Sequence, residues 1–374
     1  MVNNNKFFKI FNLVVFLFSI FLFCGLAVDK KEASKSQKLS TSETISEFKD
    51  DFTSEFVTKL SSLFNKMGKF FKVSLNSYYK VKDVKDFDTS KTSCWMKNLK
   101  DEAVISELVI PGSHDSSTYS MAPTSSNNLI AKAAQTQDMN VYGQLKLGAR
   151  SLDLRGDEVF GKIVANHGVV TGCEVSEVLR DILKFSEENP TEVTILIFRN
   201  CSKENLRKIA TLPEIKKIGE KCLTQSMCKS LNKSLGEVSM GDIRKLDAKF
   251  ILIGNNEEDI FHSNSNLNNK YNEPTRMADT NTMVEQELKQ LDEFPTNVLR
   301  NISPVHTPST EDFFKNKASP MKSEYKSSGI RNELLRKSEI FQKKANIVSL
   351  DALAINEKFI KEMISMNRNR GLFN

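Results

Sequence analysis

Histidine is scarce in this chain: four residues among 374, at positions 114, 167, 262 and 306. No CxxC pair and no His/Cys cluster occurs, which argues against a zinc-built fold. No dense Lys/Arg stripe with interleaved aromatics is present, and 53 basic against 47 acidic residues leave a formal charge of only +6. That balance permits weak attraction to anionic lipid surfaces and does not describe a nucleic-acid binder. No internal repeat is visible. The apolar run from Ile10 to Leu22, broken only by Asn12 and Ser19, is shorter than the ~20 residues that span a bilayer comfortably.

That run has the layout of a secretory signal. Lys6 and Lys9 precede it, and Gly25 and Ala27 stand at the −3 and −1 positions of a cleavage site. An uncleaved anchor helix is the alternative. Phe23 precedes Cys24, where a lipobox wants a small residue. After cleavage, Cys94, Cys173, Cys201, Cys222 and Cys228 remain, an odd number in a compartment that favours disulfides. Asn200, Asn232 and Asn301 lie in Asn-x-Ser sequons, which are compatible with a eukaryotic secretory route but common by chance in an Asn/Ser-rich chain.

The expected organisation is a signal or anchor at 1–27, a flexible Lys/Ser-rich leader at 28–43, a helical extension at 44–90 and one barrel domain at 91–374. In the extension, Ile45, Phe48, Phe52, Phe56, Leu60, Leu63, Phe64, Met67 and Phe71 form one apolar stripe at helical spacing, with Thr44 and Glu47 spaced as a capping box. The stripe predicts a helix packed on the main domain, or an interfacial helix on a bilayer.

From Trp95 onward, apolar runs of strand length alternate with amphipathic stretches. Strands are predicted at 104–110, 147–154, 161–166, 193–198, 250–254, 298–303 and 347–350. Helices are predicted at 174–189, 206–217, 243–246, 284–294, within 329–346 and at 357–366. The Asn-rich stretch 255–272 reads as a mobile loop. Strands separated by helices, with polar residues at their C-terminal ends, predict a parallel α/β barrel of the TIM type. It should be irregular, because too few residues separate the second and third strands for a helix.

In such a barrel the strand C-termini meet at one mouth. His114, Asp115, Asp153, Arg155, His167, Arg199 and Asp351 all fall at predicted strand ends. Two of four histidines in such places, with Asp and Arg at matching positions, point to paired acid–base chemistry on a phosphate ester. His262 and His306 fall in polar, loop-like segments and read as incidental.

The motifs carry a resemblance. Cys94-Trp95-Met96-Lys97-Asn98-Leu99, Ile110 to Tyr119 (IPGSHDSSTY), Gln144 to Arg155 (QLKLGARSLDLR), His167-Gly168, Pro190 to Phe198 (PTEVTILIF) and Asn346 to Asp351 (NIVSLD) resemble the X-domain of phosphatidylinositol-specific phospholipase C. The match runs in order over roughly 94–366 and is most similar to X-domain-only and secreted bacterial proteins. The resemblance implies cleavage of phosphatidylinositol, or a glycosylated relative, by attack of the inositol 2-hydroxyl. His114 would be the general base, oriented by Asp351. His167 would be the general acid, with Asp115 as its partner. Arg155 would stabilise the phosphate without metal, where calcium-dependent relatives need carboxylate and amide ligands. Asp153 and Arg199 would face the headgroup.

No cofactor, metal, nucleic acid or protein partner is expected, only a phospholipid at a bilayer surface, and the chain is expected to be secreted or lumenal. One departure stands out. Family enzymes carry an arginine after the strand ending at Ile253, whereas this chain has Gly254-Asn255-Asn256. A catalytically weak inositol-lipid binder on the same barrel is therefore the runner-up. A membrane-surface scaffold would leave the histidines unexplained, and Arg155 stands in the way of a metal-using glycerophosphodiesterase. The barrel frame also places Cys173 and Cys201 after adjacent strands at one mouth, predicting a disulfide, with Cys222 and Cys228 as a second candidate pair.

Overall fold

The structure, a computed structural model, describes residues 81–121, 129–168, 170–269, 279–306 and 319–374. The signal segment, the leader and the striped helix to residue 80 lie outside the described residues. Residues 81–90, the tail of the predicted helical extension, form a loop with a 3-10 turn at Val84–Asp86, and Val84 and Phe87 pack against the core.

Eight parallel strands make a curled sheet: β1 Ile110–Ser113, β2 Ser151–Leu154, β6 Thr194–Phe198, β7 Phe250–Ile253, β8 Phe261–His262, β9 Leu267–Asn268, β10 Leu299–Ile302 and β11 Ile347–Leu350. Their order is β8-β7-β6-β2-β1-β11-β10-β9, so the first and last strands among the described residues pair at the centre. The fold is an irregular TIM-type barrel.

The irregularity falls where expected. Between β2 and β6 the chain makes a separate antiparallel sheet of β3 Asp157–Val159, β4 Lys162–His167 and β5 Val170–Glu174. The predicted third barrel strand is β4 of this side sheet, so His167 reaches the mouth from outside the barrel wall.

The continuous apolar runs of β6 and β7 are explained by burial on both faces. Ile195, Ile197, Ile251 and Ile253 join one core cluster, while Leu196, Phe198, Phe250 and Leu252 join the other. Successive side chains point to opposite faces of a strand, so each run feeds the barrel interior and the helix layer alternately. In β1, Gly112 pairs with Ser349 of β11. A Cβ at Gly112 would come within 2.9 Å of the Ser349 hydroxyl, so glycine permits the close approach of these two strands.

The helices are α1 Leu129–Ala134, α2 Val141–Leu147, α3 Val175–Glu188, α4 Lys203–Ala210, α5 Pro213–Gly219, α6 Gln225–Ser230, α7 Met240–Lys245, α8 Thr280–Glu293, α9 Pro320–Lys337, α10 Glu339–Lys344 and α11 Glu357–Asn369. The helix predicted over 206–217 is two helices, because Pro213 cannot continue the first and instead starts the second. The first strand begins at Ile110 rather than Val104, after a 3-10 turn at Ile105–Glu107. The stretch predicted as a mobile loop holds β8, a 3-10 turn and β9 within its described part.

Neither predicted disulfide forms: all five described cysteines are free thiols. Cys173 lies on β5 of the side sheet, its Sγ 3.9 Å from the Tyr119 hydroxyl. Cys201 instead accepts the Gly156 amide at 3.3 Å. Cys222 and Cys228 are buried in different core clusters. Of the sequon asparagines, Asn301 is buried on β10, which places it out of reach of a glycosylation enzyme in the folded barrel.

Candidate active site

A single backbone rule builds the mouth. His114, Arg155, Arg199 and Asp351 are each the first residue beyond a barrel strand: β1, β2, β6 and β11. In three of these four places the next residue, Asp115, Asn200 or Ala352, has left-handed backbone with φ of 46°, 52° and 45°. That conformation is strained for residues other than glycine and is held only when its surroundings demand it. The turn drops the chain away from the strand axis and leaves the first side chain facing a cavity of about 560 Å³.

β1 and β11 pair in register at Ser113 and Leu350, so His114 and Asp351 are the next opposed pair. His114 Nδ1 lies 2.8 Å from Asp351 Oδ1. The other ring nitrogen, Nε2, is 3.6 Å from Asp115 Oδ2. Burial alone would strip the proton from this imidazole, but the Asp115 and Asp351 carboxylates outweigh burial and raise its pKa to about 9. Asp351 is pushed up by burial against the pull of His114. Asp115 is also pushed up by burial, but His114, Arg155, His167 and Arg199 together hold it below the ordinary carboxylate range.

His167 Nε2 lies 3.5 Å from Asp115 Oδ2. Its Nδ1 is 2.7 Å from the Ala134 carbonyl. A carbonyl can only accept, so Nδ1 carries a proton and Nε2 is the nitrogen that gains or loses one at the cavity. Asp115 thus stands between the two imidazoles, and the Arg155 Nε contacts its other oxygen. Arg155 also reaches Asp153 at 3.9 Å. Asp153 lies behind, 3.8 Å from Arg199. With the Asn269 carbonyl oxygen turned toward it, Arg199 donates both terminal NH2 groups to that oxygen at 2.5 and 2.7 Å.

The structure brings together every residue singled out for the site. It also adds some that the sequence did not mark. His306, read as incidental, lines the cavity, and its Nε2 is 3.3 Å from the Thr280 hydroxyl. Burial, helped by the nearby Arg331 charge, lowers its pKa. Asn264, Asn269 and Thr136 line the same cavity. None lies on a periodic apolar segment, so pattern reading had no purchase on them. His262 is buried on β8 with Nε2 2.8 Å from the Leu223 carbonyl, a satisfied structural histidine.

Ligand atoms of His114, Asp115 and Asp153 lie within 4.8 Å of one another, close enough to share an ion. The Arg155 guanidinium contacts Asp115 Oδ1 and so places a fixed positive charge beside this cluster.

No protein-family model matches the chain. Among curated proteins it is 33% identical over 133 residues to a 1-phosphatidylinositol phosphodiesterase of Listeria monocytogenes, covering 35% of this chain and 39% of that protein. It is 32% identical over 160 residues to the PI-PLC X domain-containing protein 1 of Danio rerio, covering 34% of this chain and 51% of that protein. The matches thus span about 39% to 51% of the length of these relatives. Among solved structures, the phosphatidylinositol-specific phospholipase C from Listeria monocytogenes superposes with a TM-score of 0.54 at 20% identity, over 74% of this chain and 98% of that one. Over these segments the chain is similar to phosphatidylinositol-specific phospholipase C X-domain proteins, and it carries the barrel fold of the bacterial enzymes.

Proposed function

We propose that this protein is a phosphodiesterase that cleaves phosphatidylinositol, or a glycosylated inositol phospholipid, by intramolecular attack, acting at a membrane surface outside the cytosol. The observation that carries this reading is the pair of imidazoles, each with one nitrogen on the cavity side, arranged around one carboxylate and one guanidinium.

His114 Nε2 takes the proton of the inositol 2-hydroxyl, while Asp351 on Nδ1 holds the ring and stabilises the imidazolium that forms. The freed oxygen attacks the adjacent phosphorus. Arg155, anchored on Asp115, faces the phosphate and offsets the charge that gathers on its oxygens. His167 Nε2 donates its proton to the departing diacylglycerol oxygen. The products are diacylglycerol and a cyclic inositol phosphate, and water can later open the ring with the two histidines in exchanged roles. Arg199, on the cavity wall, holds headgroup hydroxyls, and Asp153 behind it fixes the Arg155 and Arg199 guanidiniums.

The reading is tested with vesicles containing phosphatidylinositol and 31P NMR of the water-soluble product. A cyclic phosphodiester is expected. His114→Ala and His167→Ala should each lower turnover by roughly 10²–10⁴-fold. A second reading, an inositol-lipid binder with little turnover, draws on the Asn264, Asn269 and His306 lining of the cavity and on Gly254, which follows β7 where the family carries an arginine. Saturable binding of phosphatidylinositol vesicles without product would establish it in place of the first.

A further inference from the structure

A five-residue strap, Ala134-Gln135-Thr136-Gln137-Asp138, crosses beneath the mouth and touches both histidine sites. Its Ala134 carbonyl holds His167, as described above. The Thr136 carbonyl accepts the Ala352 amide at 2.8 Å, immediately after Asp351. Asp138 Oδ1 accepts the Ala354 amide at 3.1 Å. The centre of the strap is Gln137, whose side chain is fully buried. Its Nε2 donates to the His114 carbonyl at 2.7 Å and to the Leu350 carbonyl at 2.8 Å, and its Oε1 accepts the Leu353 amide at 3.3 Å.

One carboxamide therefore ties the residue that carries the imidazole to the residues on either side of Asp351. It does so where the β1–β11 ladder has ended. Beyond Ser113 and Leu350, the His114 amide bond to the Leu350 carbonyl is the last of the ladder type. Past that point nothing in parallel pairing fixes how far the two chains diverge, and both turn through strained left-handed residues at once.

We propose that Gln137 is a positioning residue, setting the contact of His114 with Asp351 by clamping the ends of β1 and β11 together. The inference rests on the base role given to His114, but the clamp can be read without it. The charged groups that face His114 are Asp351 beyond β11, Asp115 in its own turn, Asp153 on β2 and Glu287 on α8, with Arg155 and His167 across Asp115. Of these, Asp351 is the one whose contact Gln137 controls from both sides.

Gln137→Met keeps the length of the side chain and removes all three hydrogen bonds. Two readouts follow. The His114 titration midpoint, tracked by NMR on the whole protein, should fall from about 9 toward the ordinary histidine value of ~6.5. Turnover of phosphatidylinositol should drop through kcat on the order of 100-fold, as expected for a misplaced reacting group, with KM little changed.

Gln137→Asn retains both amide functions on a shorter stem, so it guards against failure to fold. It should shift the midpoint the same way by less. A His114 midpoint that stays near its original value in Gln137→Met, or in Gln137→Asn should Gln137→Met not fold, overturns the clamp. A shifted midpoint in a protein that never cleaves inositol lipids would keep the clamp and remove the enzymatic reading.

Discussion

Two arginines bracket one four-residue strand, and they do different work. Arg150 immediately precedes β2 and Arg155 immediately follows it. Arg150 and its partner Glu192 are fully buried. The Arg150 Nε and Nη2 donate to Glu192 at 2.9 and 2.7 Å, and its terminal nitrogens also reach the carbonyls of Leu145, Ala149, Thr92 and Ser93. The fork is spent on its own chain, and it ties the N-terminal turns to the floor of the barrel.

Arg155 faces the cavity and shares its carboxylates with two histidines and a second arginine. A buried ion pair whose donors are all placed is architecture. A partly exposed guanidinium over a carboxylate that several cations share can still turn to a ligand. The same residue type on the same strand thus reads as structure or chemistry according to how completely its hydrogen bonds are used.

The same substitution at both ends breaks or sharpens that contrast. Arg155→Lys should lower kcat on the order of 10²–10³-fold, since a lysine point charge cannot reproduce a fixed fork against the phosphate, while the melting temperature stays near that of the parent. Arg150→Lys should do the reverse. Loss of the fork leaves buried carbonyls and one carboxylate oxygen short of donors, which costs about 2–4 kcal/mol. Thermal unfolding would show it, and activity per folded molecule would be unchanged. If Arg155→Lys melts early and Arg150→Lys is inactive but stable, the contrast is inverted.

A smaller effect concerns pH. His114 carries its proton up to about pH 9, and only the neutral ring can act as base. The acid limb of kcat/KM should therefore lie above the ordinary histidine range, with activity rising as pH goes from 7 toward 9. For stability the sign is opposite. A raised pKa in the folded chain stabilises fully below the unfolded value of 6.5, and that stabilisation is lost as pH rises through about 9. Asp351→Asn should move the acid limb downward, because one of the two carboxylates holding the proton is gone.

The smallest expected effect is at cysteine. Cys173→Ser should change the stability by no more than about 0.5 kcal/mol, and labelling of the unfolded oxidised protein should find Cys173 as a thiol.

The barrel and the mouth differ in how far the sequence revealed them. β6 and β7 are almost wholly apolar runs and β11 is apolar but for Ser349, as parallel strands buried on both faces require, and their bounds are legible to within a residue. The side sheet was not. Asp157–Val159 and Val170–Glu174 are short and mostly exposed or half-buried, so they carry no hydrophobic signal, and β4 was taken for part of the barrel.

That misplacement also produced the false Cys173–Cys201 disulfide, because it put Cys173 after a barrel strand. At the site, His114, Arg155, Arg199 and Asp351 were legible because they end strands with strong patterns. His306, Asn269 and the Gln137 strap were not. They sit in loops, and their partners, Thr280, Arg199 and the strand-end carbonyls, are brought to them only once the chain is folded.

The most direct test of the central claim, that a guanidinium rather than a metal answers the phosphate, is turnover of phosphatidylinositol in excess chelator, measured for the parent and for Arg155→Ala side by side. The account predicts that the parent is unaffected by chelator and that the variant loses turnover on the order of 10²–10³-fold. A parent that turns over only when calcium is added would contradict it, and would reassign His114, Asp115 and Asp153 as the ligands of an ion.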